Sequence, residues 1–302
     1  MILQLAYMAI QSEEFTLSAL DGYPLAATHL APEGELLGVV QFNSGTGIPR
    51  QLYRPFLEFL AESGYASLSF DYRGIAGSRP EHLRGFAASV MDWAQQDMPA
   101  AQAWLEAKYP AHRVQLVAHS MGGQLLGMIP THARYSRAIA IASGTGYWRY
   151  MSAPFRYFTA AIWFTFIPIT TAFFGYATAK AVGQGEDLPK NVALDWRRWC
   201  LRPEYFGPEL GTRIRPVYFG EVTLPFISYR LSDDPIANDR TVPHLLSFYP
   251  NAAITQHRIT PEELGEKRIG HAGFFSRRFK ASLWPRVVAD LAGGNLAAAP
   301  AL

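Results

Sequence analysis

Two hydrophobic periods alternate along the chain. Residues 15–32, "FTLSALDGYPLAATHLAP", read as two period-two runs on either side of Asp21-Gly22, the pattern of a hairpin. Four continuous apolar runs follow: "LLGVVQF" (36–42), "YASLSF" (65–70), "VQLVAH" (114–119) and "SRAIAIAS" (136–143). Each is short enough to be a buried strand. Between them the period lengthens to that of a helix, in "YRPFLEFLAESG" (53–64) and in "VMDWAQQDMPAAQAWLEAKY" (90–109). The second of these has Ser89 as its cap and Pro110 as its stop, and a further helix begins near Met121. Strand alternating with helix predicts a mostly parallel sheet covered on both faces, with the hairpin as an antiparallel edge.

The alternation breaks at Gly144. Up to about Pro216 the chain is rich in Trp, Tyr, Phe and Pro and shows no strand–helix rhythm. It then resumes with a strand in "LPFISYRLS" (224–232), a helix near "VPHLLSFY" (242–249), a strand in "AAITQHRIT" (252–260) and a final helix over 276–292. The expected organisation is one α/β core made of residues 1–146 and 216–302, eight strands in all, with a helical cap over 147–215 inserted after the sixth strand. The start, "MILQLAYMAIQSEEF", lacks a basic region and a small-residue cleavage site, and reads as a short extension. The tail "AGGNLAAAPAL" has little to pack and reads as frayed.

Composition narrows the function classes. Hydrophobic residues are 49% of the chain and charged ones 17%, which supplies a large core. Twenty-seven basic against twenty-five acidic residues, with no basic run interleaved with aromatics, argue against a nucleic-acid partner. The single cysteine, Cys200, excludes an internal disulfide and a cysteine metal site, and fits the reducing cytoplasm. No metal or cofactor is expected. Residues 157–178 carry no charge and reach the length of a bilayer span. Pro168 and several threonines interrupt them, so the expectation is a cap helix broken just before Pro168 rather than a membrane anchor.

The chemistry gathers around "VAHSMGG". A strand that runs into a small-residue turn and then a helix holds the central residue, Ser120, above the sheet edge. The positions two residues either side must be small, and they are Ala118 and Gly122. The Met121 N–H then faces the space where an oxyanion would form. A serine needs a base, and the base an orienting acid, in the chain order Ser, acid, His. Of the eight histidines, five precede any acid in the right place, His257 falls inside a strand and His244 on a helix. His271, in the glycine-flanked loop "RIGHAGFF", is the candidate base. "LSDDPIAND" supplies the acid. Asp234, directly before the Pro-Ile turn, is the choice, with Asp233 as competitor. "NSGTGIP" after the third strand does not complete a dinucleotide fingerprint. As an oxyanion loop it offers the N–H of Gly45 or Thr46. Asp71 and Arg73 in "DYRGIAGS" read as structural.

"AHSMGG", "FDYRGIAGS", "SDDP" and "IGHAGFF", in this order, resemble the α/β-hydrolase superfamily over nearly the whole chain. Within it, the chain is similar to bacterial α/β-hydrolase proteins that carry like "DYRG", "DWRRW" and "GHxGFF" stretches. The resemblance implies an α/β-hydrolase fold and a catalytic triad of Ser120, Asp234 and His271. It gives no substrate, because the fold hosts many chemistries. The aromatic insertion points to one: with Trp148 and Trp163 walling an apolar pocket, a small-molecule carboxylic ester with an apolar acyl or alkyl part is expected. The alternatives are thioester or amide cleavage on the same triad, or ligand binding without turnover. Arg197 and Arg198 in "DWRRW" are expected to pair with Asp195 or the core.

Overall fold

The computed structural model describes residues 9–293. The expectations for the first eight residues and for the tail beyond Gly293 lie outside the described residues. Eight strands form the main sheet: β1 (Ile10–Ser18), β2 (Pro24–Pro32), β3 (Gly38–Asn43), β4 (Tyr65–Phe70), β5 (Val114–His119), β6 (Ala138–Ile141), β7 (Pro225–Leu231) and β8 (Ala253–Ile259). Their spatial order is β1-β2-β4-β3-β5-β6-β7-β8. Only β2 runs against its neighbours, pairing antiparallel with β1 and β4, while the remaining pairs are parallel.

Burial follows position in the sheet. Every residue of the central strands β3 and β4 is buried, as parallel strands covered on both faces require. The edge strands β1 and β8 are largely exposed, and "QSEE" and "TQHR" give their open positions polar side chains. The parallel register aligns Asn43 with Ala118 and His119 with Ile141, so β3, β5, β6 and β7 all end on one edge. In an open parallel sheet this carboxyl edge is where ligands bind.

The helix that Ser89 caps has the expected start: a reciprocal capping box in which the Asp92 carboxylate accepts from the Ser89 N–H (2.7 Å) and Ser89 Oγ accepts from the Asp92 N–H (3.3 Å). It carries a π turn at Trp93–Asp97 just ahead of Pro99. The same device recurs in the insertion, where α-helical Phe155–Ala161 passes through a π turn, Ile162–Phe166, before Ile167–Phe173. A proline ring cannot donate to, and collides with, the carbonyl four residues back, and one wider turn relieves both conflicts. The expected irregularity before Pro168 is therefore a π turn in a run that stays helical. Beyond it, the Thr170 and Thr171 hydroxyls donate to the carbonyls of Phe166 (2.8 Å) and Ile167 (2.6 Å). Among the described residues no helix is long and apolar enough to cross a membrane.

Two helices are shorter than the pattern predicts. After Ser120 there is a single α turn, Met121–Gln124, and then a 3₁₀ turn, Leu126–Met128. The backbone of Gly127 is taken from outside: its N–H donates to the Tyr249 hydroxyl (3.2 Å) and its carbonyl accepts from Tyr218 (2.8 Å). The last helix is confined to Trp284–Leu291, preceded by a 3₁₀ turn at Arg277–Phe279. Pro285 sits at its start, where a missing N–H costs nothing.

Between β6 and β7 the chain leaves the sheet. It forms the helical run above, a two-residue ribbon pairing Tyr176–Ala177 with Leu188–Pro189, and the helix Lys190–Cys200. Trp199, on that helix, packs edge to face on Tyr205 and on Phe206, and all three are buried. The polar residues of the insertion are mostly used to hold it together. Arg198 pairs with Asp195 (2.6 Å) and Glu209 (2.5 Å), and Arg197 donates to the Trp163 carbonyl (2.5 Å). Asp71 and Arg73 are likewise structural. Asp71 accepts from the Arg50 side chain (2.5 Å) and backbone (2.7 Å), and Arg73 bridges Asp97 (2.7 Å) and Asp21 (2.6 Å).

Candidate active site

Ser120 sits at the end of β5 with φ 51° and ψ −117°, a conformation that a non-glycine residue holds only under restraint. The restraint is visible on both sides. Its N–H donates to the Ile141 carbonyl (3.0 Å), which fixes the turn to β6. Gly122 lies against the loop after β3: a Cβ there would stand 2.5 Å from the Asn43 carbonyl oxygen and 2.8 Å from that of Ser44. Ala118, two residues before Ser120, is buried between Asn43 and Ala140 and is small enough for the turn to close.

His271 Nε2 is 3.0 Å from Ser120 Oγ, and its Nδ1 is 2.7 Å from Asp234 Oδ2. The other carboxylate oxygen of Asp234 accepts from the N–H groups of Ile236 (2.8 Å) and Ala237 (3.1 Å). Asp234 is fully buried, which by itself would raise its pKa. Attraction to His271, its hydrogen bond and the two backbone donors outweigh that, and hold the carboxyl below its ordinary value. An ionised Asp234 accepts the Nδ1 proton, which leaves Nε2 free to accept from the serine hydroxyl.

Asp233 faces elsewhere. Its carboxylate accepts from the N–H groups of Ile269 (2.8 Å) and Gly270 (2.9 Å), so it grips the loop that carries His271. The two neighbouring aspartates thus divide the work, one on the imidazole and one on its backbone.

His119 precedes the candidate acids Asp233 and Asp234 in the chain and so does not fit the order Ser, acid, His, yet it joins the same site. Its Nε2 donates to the His271 carbonyl (3.0 Å), because a carbonyl can only accept. Its Nδ1 then accepts from the Tyr53 hydroxyl (2.8 Å), whose oxygen accepts from the Gly45 N–H (3.0 Å). Burial, with His271 beside it, lowers the pKa of His119 to about 3, so the ring is neutral and each hydrogen of the relay has one direction. The relay ties the histidine loop to the loop after β3.

It also decides how that loop is presented. The Gly45 N–H is spent on Tyr53, whereas the N–H groups of Thr46 and Met121 have no hydrogen-bond partner among the described residues. Of the two loop candidates for an oxyanion donor, Thr46 is the one with a free N–H.

A cavity of about 80 Å³ lies beside this edge. Thr46 and Ile236 form its core side, and Trp163, Ile162, Phe166 and Leu188 close it from the insertion. Trp163 is buried and packs edge to face on Trp196 at 4.9 Å. Trp148 is not part of this wall: it packs edge to face on Phe164 (5.8 Å) with Arg149 over its ring.

The family model described as "Alpha/beta hydrolase family" matches residues 44–289, and the chain belongs to that family. No curated protein matches it. Solved structures share its fold at low identity. A thermostable carboxyl esterase from Bacillus coagulans, in complex with glycerol, aligns over 95% of this chain and 99% of its own, at 14% identity and a TM-score of 0.64. An esterase from Pyrococcus furiosus aligns over 95% and 91%, at 18% and 0.58. Brefeldin A esterase, described as a bacterial homologue of human hormone-sensitive lipase, aligns over 97% and 78%, at 16% and 0.56.

Proposed function

We propose that this protein is a serine hydrolase that cleaves carboxylic esters through an acyl-enzyme, with residues 147–215 as a cap over the acyl site. The observation that carries the reading is the pair of hydrogen bonds in which His271 Nδ1–H donates to Asp234 (2.7 Å) and the Ser120 hydroxyl donates to His271 Nε2 (3.0 Å). His271 Nε2 takes the hydroxyl proton as Ser120 Oγ attacks the ester carbonyl carbon. The carbonyl oxygen becomes an oxyanion, held by the N–H groups of Met121 and Thr46. Collapse breaks the bond to the alcohol oxygen, which leaves with the proton from His271. Water then repeats the sequence on the acyl-enzyme and releases the acid.

The mainly apolar cavity walls support an uncharged ester, and the esterases among the structural neighbours agree with that reaction class. Thioesters and amides would pass through the same steps. The test is turnover of p-nitrophenyl esters of graded acyl length by the purified protein and by Ser120→Ala. The expected result is hydrolysis of at least the shorter esters and loss of turnover in the variant with unchanged thermal unfolding. Full turnover by Ser120→Ala overturns the proposal.

A further inference from the structure

The outer face of the insertion is apolar where a surface helix is ordinarily polar. Seven of the ten large hydrophobic side chains exposed among the described residues fall between Tyr157 and Val182. Along the helical run 155–173, Tyr157, Phe164, Ile169 and Phe173 are exposed, Phe173 to 72%. Trp163, Ile167 and Thr171, on the other side of the run, are buried in the protein. Between the run and Val182 opens an apolar groove of about 360 Å³, and no charged residue lines it. A helix apolar on every side is ordinarily covered on every side, and a large exposed apolar patch marks a surface that something else covers.

Charge says what covers it. Residues 147–185 contain no aspartate or glutamate. Three arginines rim the face. Arg156 lies over the Tyr157 ring at 5.0 Å, and Arg84 donates to the Phe173 carbonyl (2.6 Å). Arg149 lies over Trp148, which packs edge to face on the exposed Phe164. Among the described residues none of the three forms an ion pair, whereas Lys180 is taken by Glu186 (3.1 Å). Exposed aromatic rings bordered by arginines match the boundary of a lipid layer, apolar within and anionic at its surface. A second copy matches poorly. A two-fold pairing sets the same patch against itself, and residues 147–185 offer no carboxylate to meet the arginines.

We infer that the cap docks through this face on an anionic phospholipid surface, with Tyr157, Phe164, Ile169 and Phe173 at the acyl chains and Arg84, Arg149 and Arg156 at the phosphates. The inner side of the run is packed on the protein, so the run lies on the layer and does not span it. The uncharged stretch 157–178 is thus a docking face and not a spanning anchor. The inference stands apart from the hydrolase reading, since binding is measured without turnover.

The experiment is co-sedimentation of the purified protein with sucrose-loaded vesicles of phosphatidylcholine, with and without phosphatidylglycerol. Binding should be far stronger to the anionic vesicles and should fall as salt is raised. Arg84→Gln, Arg149→Gln and Arg156→Gln, combined, should weaken it by roughly fivefold per arginine, the worth of one cation near such a surface. Phe164→Ser with Phe173→Ser should weaken it by roughly tenfold or more, with thermal unfolding nearly unchanged because both rings are exposed. No binding to either vesicle overturns the inference, and so does binding that both sets of variants leave unchanged. A lipid-free dimer in sedimentation equilibrium that Phe164→Ser with Phe173→Ser dissociates also overturns it, and gives the face to a second copy.

Discussion

His119, the residue immediately before the candidate nucleophile, donates its Nε2–H to the backbone carbonyl of His271 at 3.0 Å. The candidate base is thus held from three directions: Asp234 on its ring, Asp233 on the preceding backbone and His119 on its own carbonyl. Breaking the third contact should misplace the imidazole without touching a substrate. His119→Phe should lower kcat by roughly 10- to 100-fold with KM nearly unchanged, since small misplacements of catalytic groups cost that much. His119→Gln, which can restore one of the two bonds, should recover part of the loss. A variant that loses stability but keeps kcat would show the contact to be structural only. Steady-state kinetics beside thermal unfolding distinguishes the two.

The two aspartates should separate cleanly. Asp234→Asn removes the acceptor that fixes the His271 tautomer and should cut turnover by roughly four orders of magnitude. Asp233→Asn keeps one oxygen for the N–H groups of Ile269 and Gly270 and should cost only a few-fold. Asp233→Ala leaves both donors unmet and should cost more, together with a lower Tm. The reverse ranking would make Asp233 the acid.

Gly122 should tolerate no side chain. In Gly122→Ala the methyl would stand 2.5 Å from the Asn43 carbonyl oxygen, which is backbone and cannot swing aside. The expected cost is about 1–3 kcal/mol, the range for overpacking, seen as a Tm several degrees lower. Turnover should fall as well, because the same push displaces the Thr46 loop. An unchanged Tm would contradict the crowding at the elbow.

Stability should fall on the acid side of neutrality. His119 has its pKa lowered by burial to about 3 in the folded protein, against 6.5 for a free histidine. Above pH 6.5 neither state binds the proton and the residue contributes nothing to the pH dependence. Between 6.5 and 3 only the unfolded chain binds it, so folding free energy drops by about 1.4 kcal/mol per pH unit. His29, lowered to about 4 chiefly by burial, adds to the slope over the upper part of that window. Urea unfolding at pH 7.5 and 5.5 should show the loss, and His119→Gln should flatten it.

The core of the sheet was legible because β3 to β7 are short, largely apolar runs closed by Gly, Pro or a polar turn. Ser120, Asp234 and His271 were legible because each stands in a motif whose local geometry needs that residue type. The role of His119 was not, since its partners are Tyr53 and His271, 66 and 152 residues away, and nothing in "VAHS" announces either. The same holds for the helix after Ser120, cut short by Tyr218 and Tyr249 from far along the chain. Nothing in "NSGTGIP" separates Gly45 from Thr46; what does is the Tyr53 hydroxyl, which occupies the first N–H. Among the tryptophans of the insertion, composition gave Trp148 and Trp163 equal claims, and only packing puts Trp163 in the cavity wall.

The central claim is that Ser120 is a nucleophile activated by His271. Its most direct test is intact-mass and peptide mapping after incubation with a fluorophosphonate, which phosphonylates an activated serine. One adduct per chain, on Ser120, absent from Ser120→Ala and strongly slowed in His271→Ala, is the predicted result. An unlabelled Ser120 in a protein that still hydrolyses esters, or ester turnover that survives in Ser120→Ala, would contradict it.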